Sequence, residues 1–299
     1  MQETGYISRR VDRLRQRLAS MDRHKWIKFV FDVLIFIFMA LVTVAILYPL
    51  LFVLTTSFKD YSEFLKFPFK IMFTHPENYA TAWIKGRFSV YFLNSVFVAV
   101  CAVGGQMIMT ALAAFTIGRL EFKGANVLLF VMLSTMFLTG EITSIPMFIL
   151  IRELGFYDTI MALIFPAAFG APGMGALLAS NYVKNIPKEI HEAAVLDGAS
   201  IPQTFWYLDF PLMRPILTLV AVMCFNGIWS DFMWPLVALP TNRSAWTMPL
   251  GLITFQSENN AQYGILCAGL VILTLPIVVF YSFFSKYFIE GVAAGAVKG

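Results

Sequence analysis

Residues 186–215 read IPKEIHEAAVLDGASIPQTFWYLDFPLMRP, the most polar long stretch in the middle of a very apolar chain. Pro187 suits the first turn of a helix, where a missing N–H is no loss. Residues 188–196 that follow are good helix formers. Asp197-Gly198 then stops the helix, because glycine accepts the left-handed conformation that a helix C-terminus often needs. Pro202 suits the start of a second short helix over 203–209, ended by Pro211 and Pro215. Ala193, Ala194, Val195 and Leu196 give the first helix a small-residue apolar face. Glu189, Glu192 and Asp197 give it acidic corners. A helix–turn–helix of this composition is a docking surface.

The chain on both sides is built for a bilayer. Of 299 residues, 59% are hydrophobic and 13% charged, against about 25% charged in a soluble domain, and the mean hydropathy is +0.73. Apolar runs long enough to cross a membrane are expected over 26–54, 89–118, 127–151, 159–183, 212–239 and 263–288. The expected fold is therefore all-α, with about six transmembrane helices and the polar stretch 184–215 between the fourth and fifth. Gly140, Glu141 and Pro146 interrupt the third run. Pro166, Gly170, Pro172, Gly173 and Gly175 crowd the fourth. Both are expected to be kinked or broken and packed among other helices. Gly104-Gly105 in the second allows close helix approach.

Residues 1–25 form an arm in which Ile7, Val11, Leu14, Leu18 and Met21 recur at helical spacing among many arginines, the pattern of a basic helix lying on an anionic membrane surface. The run after it fills a bilayer and has no small-residue cleavage site, so the segment reads as a span and not as a signal peptide. Placing both termini and the 184–215 loop on one side puts the 118–124 turn there too. That side then holds 15 of the 22 lysines and arginines, the cytoplasmic excess that orients membrane proteins. The domains expected are this arm, a six-span body over 26–288 and a short cytoplasmic tail over 289–299.

Several motifs resemble one family. Glu192-Ala193-Ala194, Asp197-Gly198-Ala199 and Leu208-Asp209-Phe210-Pro211 resemble the EAA loop of the membrane subunits of bacterial ABC importers. Glu77-Asn78-Tyr79, the basic turn after Gly118 and the run from Asn226 to Leu236 are similar to the carbohydrate-importing members. The ending at Gly295, Val297, Lys298 and Gly299 resembles the tail of the smaller permease subunit of maltose-type importers. The resemblance implies a type I ABC-importer permease fold with a cytoplasmic coupling helix. It implies as partners an ATPase homodimer, a second related permease subunit, an extracytoplasmic solute-binding protein, a sugar and membrane lipid. It gives Glu189, Glu192, Ala193, Ala194, Asp197, Gly198 and Ala199 the contact with the ATPase, with Gly295, Val297, Lys298 and Gly299 reaching the ATPase interface.

Motifs for chemistry in this chain are missing. No phosphate-cradling G-x-x-x-x-G-K-[ST] occurs, so ATP and Mg belong on the partner ATPase and no cofactor is expected on this chain. His191-Glu192 opens a zinc-type HExxH, but Val195 stands in the second histidine's place. Cys101, Cys224 and Cys267 lie in apolar runs and read as small buried hydrophobes. No basic face outside the arm suits nucleic acid. Asn94, Glu141, Asn181, Asn226 and Asp231 are candidates for the substrate path, because polar groups at membrane depth must face partners or water. Each serves equally as a helix–helix hydrogen bond. Three rivals to a sugar-importer permease remain at this point: a same-fold permease for another solute, a self-powered secondary transporter and a membrane enzyme. Glu141 and Asp231 are few for the paired carboxylates a secondary transporter uses.

Overall fold

The computed structural model describes residues 23–120, 122–138, 140–256 and 262–296, and forms two units divided between Thr55 and Thr56. The basic arm up to residue 22 lies outside the described residues. Among the described residues, the first unit is one helix, α1 (Arg23–Thr56). Its 31-residue apolar segment Trp26–Thr56 is about 46 Å long, ample for a hydrocarbon core of about 30 Å.

The second unit opens with the polar connection, which is more ordered than its breakers suggest. Helix α2 (Tyr61–Lys66) starts on a capping box: Asp60 accepts from the Glu63 N–H at 2.6 Å, and Glu63 accepts from the Asp60 N–H at 3.3 Å. Lys59 is buried and donates to the carbonyls of Phe67 (3.0 Å) and Pro68 (2.8 Å). Burial pushes its pKa down. In α3 (Glu77–Ile84), Asn78 donates to the carbonyls of Ser57 and Lys59, and the Tyr79 hydroxyl lies 2.7 Å from that of Ser57. The Asn-Tyr pair therefore staples this connection together.

Helix α4 (Phe88–Gly118) is the axis of the unit. It packs along α7 (Met161–Phe169), α8 (Gly173–Lys184) and, later in the chain, α11 (Arg214–Ser230). Of the two adjacent glycines, only Gly105 makes a close approach: a Cβ there would lie 2.6 Å from Ala168 Cβ and 3.2 Å from its carbonyl oxygen. Gly104 faces open space, within an apolar cavity shared with Phe225 and Phe280.

The expected breaks are present. The third run is α5 (Ala125–Ser134), a 3-10 turn and α6 (Gly140–Glu153). The fourth is α7 and α8, separated at residues 170–172. Pro166 has no N–H, so the Ala162 carbonyl one turn earlier lacks its helical donor. The Trp234 indole supplies one at 2.9 Å.

Two expectations need correction. The helix after Ser200 does not end at Asp209 but runs as α10 (Ile201–Leu212), because residues 204–209 form a π-helical turn. The wider turn accommodates Pro211 without the clash it brings to an α-helix. The fifth span is not continuous over 212–239. Helix α11 stops at Ser230, the chain extends at Asp231, and α12 (Met233–Ala238) follows. The Asp231 carboxylate accepts the Trp234 N–H at 3.2 Å and so holds the break. A short helix α13 (Met248–Gly251) leads to α14 (Tyr263–Ala296), which runs through the expected tail boundary as far as Ala296.

By length and composition, four described helices suffice to cross a membrane, and six spans result if each of two bent pairs counts as one. No strand occurs among the described residues.

Candidate functional site

The polar stretch folds as its residues dictate. Helix α9 (Lys188–Leu196) begins after Pro187, whose backbone is extended at φ −50° and ψ 130°. It ends in a Schellman motif: the Gly198 N–H donates to Val195 O and the Ala199 N–H to Ala194 O, both at 3.0 Å. Gly198 takes φ +87°, the conformation a side chain resists. The next helix is held in register by Gln203, whose Oε1 accepts from the Ser200 N–H at 2.8 Å.

No residue of α9 is buried. Leu196 is 87% exposed and Tyr207, on α10, 83%. A groove of about 470 Å³ beside the helix is lined by Ala194, Asp197, Gly198, Gln203 and Tyr207, among others. Glu189, Glu192, Ala193 and Asp197 are exposed, and Ala194 and Ala199 half-buried. Of the predicted docking residues, Ala194, Asp197, Gly198 and Ala199 line the groove.

Beneath this surface lies an arrangement that motif reading did not assemble. Arg119, just past the end of α4, donates from Nε to Asp209 Oδ1 at 2.9 Å and from Nη1 to the Ile186 carbonyl at 3.0 Å. His191 Nδ1 on α9 lies 2.9 Å from Asp209 Oδ2. The Asp209 side chain is fully buried and that of Arg119 only 3% exposed. Around them a core of Phe115, Val183, Phe205, Met213 and Leu217 excludes water. The signal in sequence is small: one carboxylate inside the otherwise apolar FWYLDFPL, and one arginine at the end of a span.

The five pathway candidates fall apart into different settings. Asn94 donates to the carbonyls of Ser244 (2.7 Å) and Trp246 (2.9 Å), fastening α4 to the loop before α13. Asn181 and Asn226 are exposed on α8 and α11. The Glu141 side chain and residues Val297, Lys298 and Gly299 lie outside what is described, and Gly295 falls in the last turn of α14. Asp231 lines a cavity of about 220 Å³ together with Trp234 and Thr247. The buried Thr247 hydroxyl has no hydrogen-bond partner.

Away from these places, Asp60, Glu63 and His75 bring possible ligand atoms within 4.8 Å of one another. Each is engaged in its own loop: Asp60 caps α2, Glu63 accepts from Thr74, and His75 meets Glu77 at 2.6 Å. The cluster serves that connection.

A polytopic helical membrane protein with an exposed helix presented between its fourth and fifth spans is the class that the fold defines. Residues 113–293 match the family described as "Binding-protein-dependent transport system inner membrane component". A probable ABC transporter permease protein of Bacillus subtilis, YurM, is 33% identical over 279 residues, covering 93% of this chain and 91% of that protein. The diacetylchitobiose uptake system permease protein NgcG of Streptomyces coelicolor is 32% identical over 86% of this chain and 85% of its own length. The trehalose/maltose transport system permease protein MalG of Thermococcus litoralis is 30% identical, covering 89% and 97%. The fold is similar to a chain of a crystallised bacterial ABC transporter involved in import of the acidic polysaccharide alginate. That likeness has a TM-score of 0.75 at 21% identity and covers 90% of this chain and 99% of that one. The chain belongs to the family of binding-protein-dependent transport system inner membrane components, the membrane-spanning permease subunits of ABC transporters.

Proposed function

We propose that this chain forms half of the translocation path of an ATP-driven sugar or oligosaccharide importer in a bacterial inner membrane, with both termini cytoplasmic. The observation that carries the reading is α9: a helix stopped at both ends, with no buried residue, beside a groove and bearing an exposed Leu196. Such a helix has its partner outside the chain. A cytoplasmic ATPase homodimer that holds ATP and Mg fits, because this chain has no phosphate-binding loop of its own. Glu189, Glu192, Ala193, Ala194, Asp197, Gly198 and Ala199 make the contact, and Gly295, Val297, Lys298 and Gly299 at the C-terminus add a second one. A related permease subunit completes the path, and an extracytoplasmic binding protein delivers the solute.

Sugar is the favoured substrate class because relatives at 30–32% identity are named for diacetylchitobiose and for trehalose/maltose. A test of the docking surface is Leu196→Cys in a chain whose three natural cysteines are replaced, treated with a bismaleimide in the assembled importer. Crosslinking to the ATPase is expected. Crosslinks that reach only other proteins would sink the reading.

Asp231 tests whether this chain touches the solute. Asp231 and Thr247 line one cavity, and a carboxylate there suits sugar hydroxyls. Asp231→Ala is expected to weaken uptake about tenfold, the worth of roughly 1.4 kcal/mol. Wild-type rate and affinity would remove Asp231 from the path.

A further inference from the structure

We propose that Asp209 is the positioning residue that makes α9 and α4 move as one body, so that force on the docking surface reaches the spans through Arg119–Asp209–His191. This rests on the reading of α9 as the ATPase contact and adds the route by which that contact acts.

The argument begins with what holds α9. It buries none of its own residues, and both ends are pivots: the extended backbone at Pro187 and the left-handed Gly198. A helix set between such joints turns when pushed at its tip unless its side chains hold it. A polar restraint that reaches from it into the core is His191, against Asp209 Oδ2 at 2.9 Å, with the Phe115 ring 6.0 Å away.

The other oxygen of that carboxylate receives Arg119 Nε, so one buried group grips α9 and the end of α4 together. Arg119 also grips the Ile186 carbonyl, just before the Pro187 joint, and clamps the nearer pivot. Its Nη2 is buried without a partner. A guanidinium is held in that position by its strong bonds and not by convenience of solvation.

Burial decides the stiffness. An exposed ion pair is worth little and exchanges readily with water. Here the Asp209 side chain is fully buried and Arg119 nearly so, so water is poorly placed to replace either bond. Helix α4 packs along α7, α8 and α11, and whatever moves its end moves the body of the subunit.

The test uses the complete importer: this chain with Cys101, Cys224 and Cys267 replaced by serine, its partner permease, the ATPase and the binding protein. Spin labels at Ile190→Cys and Leu93→Cys, both exposed, report the distance from α9 to the far end of α4, with and without ATP plus vanadate. One narrow distribution is expected in both states for the parent. Asp209→Asn is expected to broaden it at least twofold while the complex still co-purifies.

Should Asp209→Asn fail to assemble, Arg119→Met with Asp209→Leu fills the same space without charges, a replacement buried ion pairs often tolerate. It is expected to assemble and to show the same broadening. A distribution as narrow as the parent's in either assembled variant overturns the inference. If Leu196→Cys crosslinks to the ATPase meanwhile, the docking reading survives that failure. If Leu196→Cys never reaches the ATPase, both fall together.

Discussion

Replacing Gly198 by glutamate is expected to lower ATP-driven uptake at least tenfold while leaving the chain in the membrane with its partner permease. The effect originates in the backbone. Gly198 sits at φ +87°, where a residue with a Cβ is strained by about 1–3 kcal/mol. No atom lies within 4 Å of the added Cβ, so steric clash contributes nothing and the body of the protein is untouched. The strain is relieved by unwinding the Schellman turn, which frees the carbonyls of Ala194 and Val195 and turns Asp197 and Ala199 out of register. The added carboxylate also joins Glu192 and Asp197 on a surface already acidic. Asparagine tolerates the left-handed region, so Gly198→Asn is expected to keep most of the activity. The measurement is uptake into vesicles beside substrate-stimulated ATP hydrolysis. Unchanged values for the glutamate variant would refute a role for this turn in coupling.

The second large effect is on assembly. Gly105→Leu is expected to reduce recovery of the folded complex at least tenfold, read by size-exclusion chromatography of detergent-solubilised membranes. Even the first atom of the new side chain would stand 2.6 Å from Ala168 Cβ and 3.1 Å from its Cα. Backbone cannot step aside as a side-chain tip can, so α4 and α7 must separate along their contact. Overpacking costs about 1–3 kcal/mol even where neighbours yield. The neighbouring position supplies the control. Gly104 has nothing within 4 Å, and Gly104→Ala is expected to keep recovery within twofold. Equal losses at the two sites would show that the α4–α7 contact is not the cause.

These cases also show what was legible in sequence. The α-helical class, the place of each apolar run and the outward face of α9 follow from composition, length and helix punctuation, all of which are local. Gly198 was readable for the same reason, since a glycine after a helix-forming run has one common use. Gly104 and Gly105 are identical in sequence and differ only in what lies opposite, which no local rule supplies. Asn94 looked like a pathway group but meets two carbonyls 150 and 152 residues away. Asp209 looked like the end of a helix and is instead the partner of Arg119 and His191. The π-helical turn that carries it past Pro211 has no local signature. Polar residues in an apolar chain announce that they have partners; they do not say which ones.

The hydrogen bond from the Trp234 indole to the Ala162 carbonyl has a consequence for how this sequence can drift. Pro166 creates the vacancy that the indole fills, and the residues that aim the indole belong to a separate interruption at Asp231. Losing the tryptophan alone strands the Ala162 carbonyl in a water-poor interior, at about 1–3 kcal/mol. Lineages descending from this chain should therefore keep the tryptophan for as long as they keep the proline, so that two irregularities far apart in the gene are inherited as a single character.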